Sequence, residues 1–219
     1  MSDFPVTDLN KLKRYPNRGR YDKETIYAIV DEALICHVGF AIEGKPYVIP
    51  TIHARLNDKI ILHGAVANRM LNHIAQGNPL CVTVTLVDGL VLARSVFNSS
   101  MNYRAAVLFG TGRHIESDRE KLQAFEALTE HVARGRWNDA RKPSRKEIDG
   151  TTVIAVEIES ASAKVRAGAP TDEEEDYALP IWAGVVPLQL QADDPVDDPK
   201  LKQGIPVPSY ARAYVRKPT

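Results

Sequence analysis

The sequence predicts an α+β fold that is mainly β, with antiparallel strands closing toward a barrel, one helix interposed and another near the end. Three observations carry this. Apolar runs of strand length recur, separated by compact turn pairs at Glu43-Gly44, Asn57-Asp58 and Asp88-Gly89. Helical spacing is confined to three stretches. There are no internal repeats, and 219 residues fit one domain with extensions.

Residues 1–21 are polar and basic, with Pro5 and Pro16, and read as an extended N-terminal arm. From Asp22, which can cap a helix, Ile26, Ile29, Val30 and Ala33 share one face. "ALICHVGFAI" then reads as a strand, Glu43-Gly44 as a hairpin turn, and "PYVIPTIHARL" as the return strand. Asn57-Asp58 turns the chain into "KIILH". Next comes a helix from about Asn68, with Met70, Leu71, Ile74 and Ala75 on one side; Gly77 and Pro79 stop it. "LCVTVTLV" alternates as a strand, Asp88-Gly89 signals a two-residue hairpin, and "LVLARSV" returns. "YRAAVLFGTGRHIE" is a further long strand whose two glycines permit a bend or bulge. Ser117 and Glu120 have capping-box spacing, ahead of a stripe formed by Leu122, Phe125, Leu128 and Val132. Residues 134–146 read as a basic loop, and "TTVIAVEIES" with "AKVRAG" as a last strand pair. Residues 168–219, rich in proline and with an acidic run from Asp172 to Asp176, read as a tail.

Lysines plus arginines number 28, as do aspartates plus glutamates, so no global field argues for nucleic acid or a membrane surface. Cys36 and Cys81 lie inside apolar runs and read as core thiols, which with the lack of a signal-type N-terminus or a bilayer-length segment predicts a soluble cytoplasmic protein.

Two stretches carry chemistry. "ILHGAVANRM" sets His63, Gly64, Ala65, Asn68 and Arg69 where a strand passes into a helix, a place suited to a phosphate. "SSMNYR" crowds Ser99, Ser100, Asn102, Tyr103 and Arg104 into six positions, and short hydroxyl donors beside a guanidinium fork suit a phosphate monoester. His53 and His63, on consecutive strands, have the chemistry for a metal or haem, but zinc-type spacing is absent and no metal site is predicted. Trp182, in a tail, needs a surface to cover: its own core, a second subunit or a planar ligand.

Taken in order, "RGRYDKETIYAIVDEALICHVGF", "YVIPTIHAR", "ILHGAVANRML", "SSMNYRAAVLFGTGR", "SAKVRAG" and "DYALPIWAGVVPL" resemble the pyridoxamine 5'-phosphate oxidase-like FMN-binding split-barrel family, on its nitroimidazole-resistance and flavin-nucleotide-binding branch. The resemblance implies a six-stranded antiparallel split β-barrel with a few flanking helices over residues 22–167. It also implies a C-terminal tail (168–219) wrapping the domain or the dimer, and a homodimer holding FMN between its subunits.

By position, the resemblance puts Val48, Ile49, Pro50 and Thr51, with His63, Gly64 and Ala65, along the flavin ring and ribityl chain. Asn68 and Arg69 meet the phosphate, Ser100, Asn102 and Arg104 close the site, and Trp182 lies at the flavin edge. Lys164 and Arg166 are weaker candidates. The function implied is a flavin-dependent oxidoreductase, nitroreductase-like, passing electrons from NAD(P)H to a small-molecule acceptor, with His63 as the protic group. The alternatives are a non-catalytic flavin carrier or sensor, or a haem-binding split-barrel protein; FAD, a deazaflavin or haem would then replace FMN. Two departures from relatives, Met70 where a lysine is frequent and Ala105 where a serine is common, each remove a potential phosphate contact.

Overall fold

The computed structural model describes residues 3–215. The N-terminal arm enters through Phe4, which is buried edge-on against Tyr27, and Asn10, whose amide donates to the carbonyls of Pro5 and Ala161. It ends in a two-residue strand, β1 (Gly19–Arg20). Helix α1 (Lys23–Glu32) starts where the Asp22 carboxylate accepts from the Thr25 amide at 2.8 Å, and it buries Ile26, Tyr27, Ile29 and Val30. Strands β2 (Ile35–Ile42) and β3 (Lys45–Ile52) are joined at Glu43-Gly44 with φ of 51° and 73°, the doubly left-handed turn that suits the strand twist. β4 (Ala54–Leu56) and β5 (Lys59–Ala65) flank Asn57, also left-handed at φ 55°. Helix α2 (Arg69–Ala75) is capped by Asn68, whose side-chain oxygen accepts from the Leu71 amide at 3.1 Å.

β6 (Pro79–Leu92) is one continuous strand, so the hairpin expected at Asp88-Gly89 does not form. Between Val87 and Gly89 the register against β7 (Ser100–His114) shifts instead, as at a bulge. The local turn signal yields to tertiary contacts: Arg104 takes the Asp88 carboxylate, and β10 (Gly184–Pro187) comes so close that a Cβ on Gly89 would lie 3.0 Å from the Val186 carbonyl.

The expected Ser117 capping box also fails. Ser117 precedes α3 (Asp118–Val132) without a side-chain cap bond, and Glu120 pairs with Arg113. The box forms instead in the stretch read as a loop, where Ser144 and Glu147 bond reciprocally at the start of α5 (Arg145–Asp149), after a short α4 (Arg136–Asp139). Arg141 and Ser144 together hold the Glu147 carboxyl down at about 2.

β8 (Thr151–Glu157) and β9 (Ser160–Arg166) do not pair with each other. Both lie along β7: β9 faces Tyr103–Phe109 and β8 faces Gly112–His114. The changeover needs Gly110, because a Cβ there would fall 1.8 Å from the Glu157 carbonyl oxygen. The sheet runs β3-β2-β6-β7-β8-β5-β4, with β9, β1 and β10 branching from it, and every pairing is antiparallel.

The mainly β architecture with a few helices stands; the described residues form ten strands, short ones included, and do not confirm the six expected. β1, β4 and β10, of two to four residues, are too short to show any periodicity. One core lies inside the curved sheet beneath α1 and α2, around Val30, Val38, Leu62, Leu71 and Leu108; a smaller one joins α3 to β5 and β8 through Leu128, Ile61 and Val153. Cys36 is buried in the first, which pushes its thiol up to about 12, and both cysteines are free thiols.

The tail returns as β10. Its Asp172 carboxylate is fully buried and accepts from the amides of Arg94 (2.9 Å) and Ser95 (3.2 Å) and from the Arg94 guanidinium. Further on, α6 (Ser209–Arg212) places Tyr210 against Gly135 and between Arg136 and Asp139. The last four tail residues lie outside the described residues. Among those described, no helix is long and apolar enough to cross a membrane.

Candidate functional site

The first group of predicted site residues assembles at one edge of the sheet. β3 ends the strand order and has a strand neighbour on one side only, so alternate backbone groups, in phase with Pro46 and Pro50 and therefore including those of Val48, lie along an open edge, while Ile49 and Thr51 turn theirs toward β2; Pro50 contributes no donor. Tyr47, on this strand, stacks on Phe40 at 5.3 Å, and the Arg69 guanidinium sits 4.5 Å from the Tyr47 ring centre. Among the described residues no carboxylate pairs with Arg69.

Gly64 brings α2 close to β5: a Cβ there would lie 3.1 Å from Leu71 and 3.2 Å from the Asn68 amide nitrogen. Asn68 thus positions Arg69 through the helix cap, and Met70 is buried in the main core. Ala65 is exposed at the end of β5.

His63 is half-buried, and its Nδ1 is enclosed without a hydrogen-bond partner. Burial holds its pKa below the ordinary value, so the ring is neutral at neutral pH. His53 is different. It is wholly buried, with Nε2 3.0 Å from the Val30 carbonyl and its ring 4.7 Å from that of His131, whose own Nε2 lies 2.9 Å from the Ala33 carbonyl. The two histidines serve the C-terminal end of α1.

The second group lies elsewhere on the sheet. Asn102 stands opposite Gly89 on β6, whereas Pro50 aligns through His37 with Thr83, six residues earlier on that strand. At about 3.4 Å per residue the two rows are about 20 Å apart. Asn102 is buried, donating to the Gly168 carbonyl at 3.1 Å and accepting from Arg166. Ser100 is exposed at the start of β7. Arg104, two residues on and on the same face as Asn102, has its guanidinium held by Asp88 (2.7 and 3.0 Å) and Glu32 (2.8 Å); these carboxylates push its pKa up. Trp182 is 65% exposed, with its ring across Gly184. Ala105 is half-buried, opposite Lys164 on β9. One chain therefore does not bring the two groups together.

Sequence reasoning missed Tyr47, which supports Arg69, and Glu32 with Asp88, which occupy Arg104. The basic run "KLKRYPNRGR" was the only sign of a further feature, a group of cations around Tyr15.

A family model described as pyridoxamine 5'-phosphate oxidase matches residues 22–165. The chain belongs to this family. Among solved structures, this family member is similar to the flavocytochrome Anf3 from Azotobacter vinelandii, at 38% identity and a TM-score of 0.87 over 94% of this chain and 95% of that one. It is also similar to an FAD- and haem-binding protein from Mycobacterium smegmatis, at 36% identity and a TM-score of 0.85 over 89% and 96% of the two chains. A candidate 5-nitroimidazole antibiotic resistance protein from Bacteroides thetaiotaomicron shares 27% identity and a TM-score of 0.58 over 67% and 86%. No curated protein matches the chain.

Proposed function

We propose that this pyridoxamine 5'-phosphate oxidase family member is a flavin-dependent oxidoreductase that binds FMN or FAD at the β3 edge. The observation that carries the reading is Arg69: a guanidinium stacked on Tyr47, beside an open strand edge, with no carboxylate partner among the described residues. Arg69 binds the flavin phosphate. The outer amide of Val48 donates to the pyrimidine edge of the ring, and the small, exposed Ala65 leaves room for the ribityl chain. When bound, the flavin supplies two-electron redox chemistry, here between a nicotinamide donor and a small acceptor. Arg104, committed to two carboxylates, is left out of this assignment.

A second copy of the chain closes the site. Ile35, Val48, Ile52, Val87 and Met101 are exposed on one face of the sheet, Val48 by 68%, and an apolar sheet face is stable only when covered. A two-fold partner laid on this face covers these side chains.

Haem is a second ligand that the residues fit, and His63 supports it. A half-buried neutral imidazole with an unpartnered ring nitrogen is suited to ligating iron, whereas His53 is committed to a helix end. Both of the nearly full-length structural relatives carry flavin and haem in their names.

The visible spectrum of the purified protein, alone and after incubation with FMN, FAD and hemin, tests these readings. A flavin band, bleached anaerobically by NADH or NADPH and restored by an acceptor, is expected. A Soret band lost in His63→Ala is the expected haem result. Protein that takes up neither flavin overturns the oxidoreductase reading, and flavin binding without turnover reduces it to a carrier.

A further inference from the structure

A second concentration of positive charge lies on the same exposed sheet face, at its opposite edge. Residues 9–21 contain five cations and no acid. The arm folds so that the Arg18 and Arg14 guanidinium carbons lie 4.2 and 5.2 Å from the Tyr15 ring centre, with the Lys164 ammonium at 6.0 Å. Gly19 registers against Lys164, and Arg166 follows two residues along β9, about 7 Å away on the same face.

Arg18, Lys164 and Arg166 are half-buried, yet none of them, nor Arg14, has a carboxylate within ion-pair distance among the described residues; Arg166 rests instead on the Asn102 side-chain oxygen and the Gly168 and Ala169 carbonyls. Partial burial of like charges without counter-charge is unfavourable, and Arg18 adds to the burial that lowers the Arg166 pKa. Tyr15 adds strain, being held at φ 57° and ψ 60°, a left-handed conformation rare for a tyrosine. Uncompensated charge and backbone strain converging on one half-exposed aromatic ring mark a ligand site.

We infer that Arg14, Arg18, Lys164 and Arg166 form a binding site for linked phosphates, the pyrophosphate bridge of a dinucleotide. Cations on two elements, the arm and β9, flank the ring from separate backbones, and their spread along about 7 Å suits two adjoining phosphates better than one. Arginine forks supply planar donors, and the open ring of Tyr15 supplies a stacking surface for a base or ribose. The site rests on the flavin reading and extends it: Arg69 holds the flavin phosphate at the opposite edge of the sheet, so the dinucleotide seated here is the nicotinamide electron donor.

Calorimetric titration with inorganic pyrophosphate at low salt tests the site directly, comparing wild type with Arg18→Gln, Lys164→Gln and the double variant at matched thermal midpoints. Each single change is expected to weaken binding about tenfold, the loss of one charge-assisted contact. The single variants suffice if the double variant does not fold. Selective loss of NADPH affinity is the expected cofactor result; selective loss of FAD over FMN affinity would move the flavin phosphates here and overturn the Arg69 assignment. Wild type that ignores pyrophosphate, variants that bind it as wild type does, or preference for a single-stranded oligonucleotide overturns the inference. Protein that binds pyrophosphate through these residues but no flavin refutes the flavin reading alone.

Discussion

Replacing Arg104 separates two uses of an arginine. Its guanidinium bridges the end of α1 to the bulge in β6: Nη2 lies 2.8 Å from Glu32 Oε1 and 2.7 Å from Asp88 Oδ1, with Nε 3.0 Å from Asp88 Oδ2. The side chains of Arg104, Glu32 and Asp88 are 30%, 16% and 35% exposed, so the network stands between a surface pair and a buried one. Breaking a buried pair costs about 3–5 kcal/mol and an exposed one about 0–1. The geometry here is forked and partly screened, which gives about 2–3 kcal/mol for Arg104→Ala. In a chain of this size that corresponds to a fall of about 4–12 °C in Tm. Thermal unfolding, alongside FMN and FAD titrations of the same sample, measures both effects. The expected outcome is a lower midpoint with flavin affinity nearly unchanged. A midpoint within about 1 °C of wild type, together with a tenfold loss of flavin affinity, would refute the structural assignment and return Arg104 to the phosphate.

Arg69→Ala is expected to do the reverse, weakening flavin binding by about 1.5–3 kcal/mol while leaving the melting midpoint in place, as read by fluorescence titration and thermal unfolding. Gly110→Ala drives a Cβ into the Glu157 carbonyl, a backbone atom that cannot rotate away. It is expected to yield insoluble protein or to cost more than about 4 kcal/mol in urea unfolding, and a soluble variant of wild-type stability would show that β7 and β8 cross elsewhere. His63 gives a pH dependence. Its folded pKa lies below the ordinary value, so below about pH 6.5 the unfolded chain takes up a proton that the folded chain does not. Stability from this group is present at neutral pH and lost on acidification. The urea-midpoint gap between wild type and His63→Gln should shift against wild type from pH 7.5 to pH 5.5, and a shift in its favour would mean that the folded ring is charged.

The sequence spoke clearly where structure depends on neighbouring residues. Asp22 and Asn68 cap the helices expected of them, and Glu43-Gly44 makes its hairpin, because each involves groups within three residues. Asp88-Gly89 carries the same local signal as a hairpin, but β10, almost a hundred residues later, and Arg104 decide its conformation. Ser117 and Ser144 both have glutamate at the third position; Arg113 draws Glu120 away from the first, and the second forms its box. At the site, the residue types around Arg69 were legible, whereas its lack of a carboxylate partner was not. Nor could spacing reveal that Glu32, seventy-two residues before Arg104, would occupy that arginine.

β7 has a consequence for the order in which the molecule opens. It is hydrogen-bonded along β6 on one side and to β9 and then β8 on the other, so its central amides are held in strand pairings on both sides. Hydrogen exchange should therefore find the amides from Ala105 to Gly112 the slowest in the chain, releasing only with global unfolding, while β3 and β10 at the margins exchange through local opening. The rim can then loosen and close around a rigid spine without placing the fold at risk.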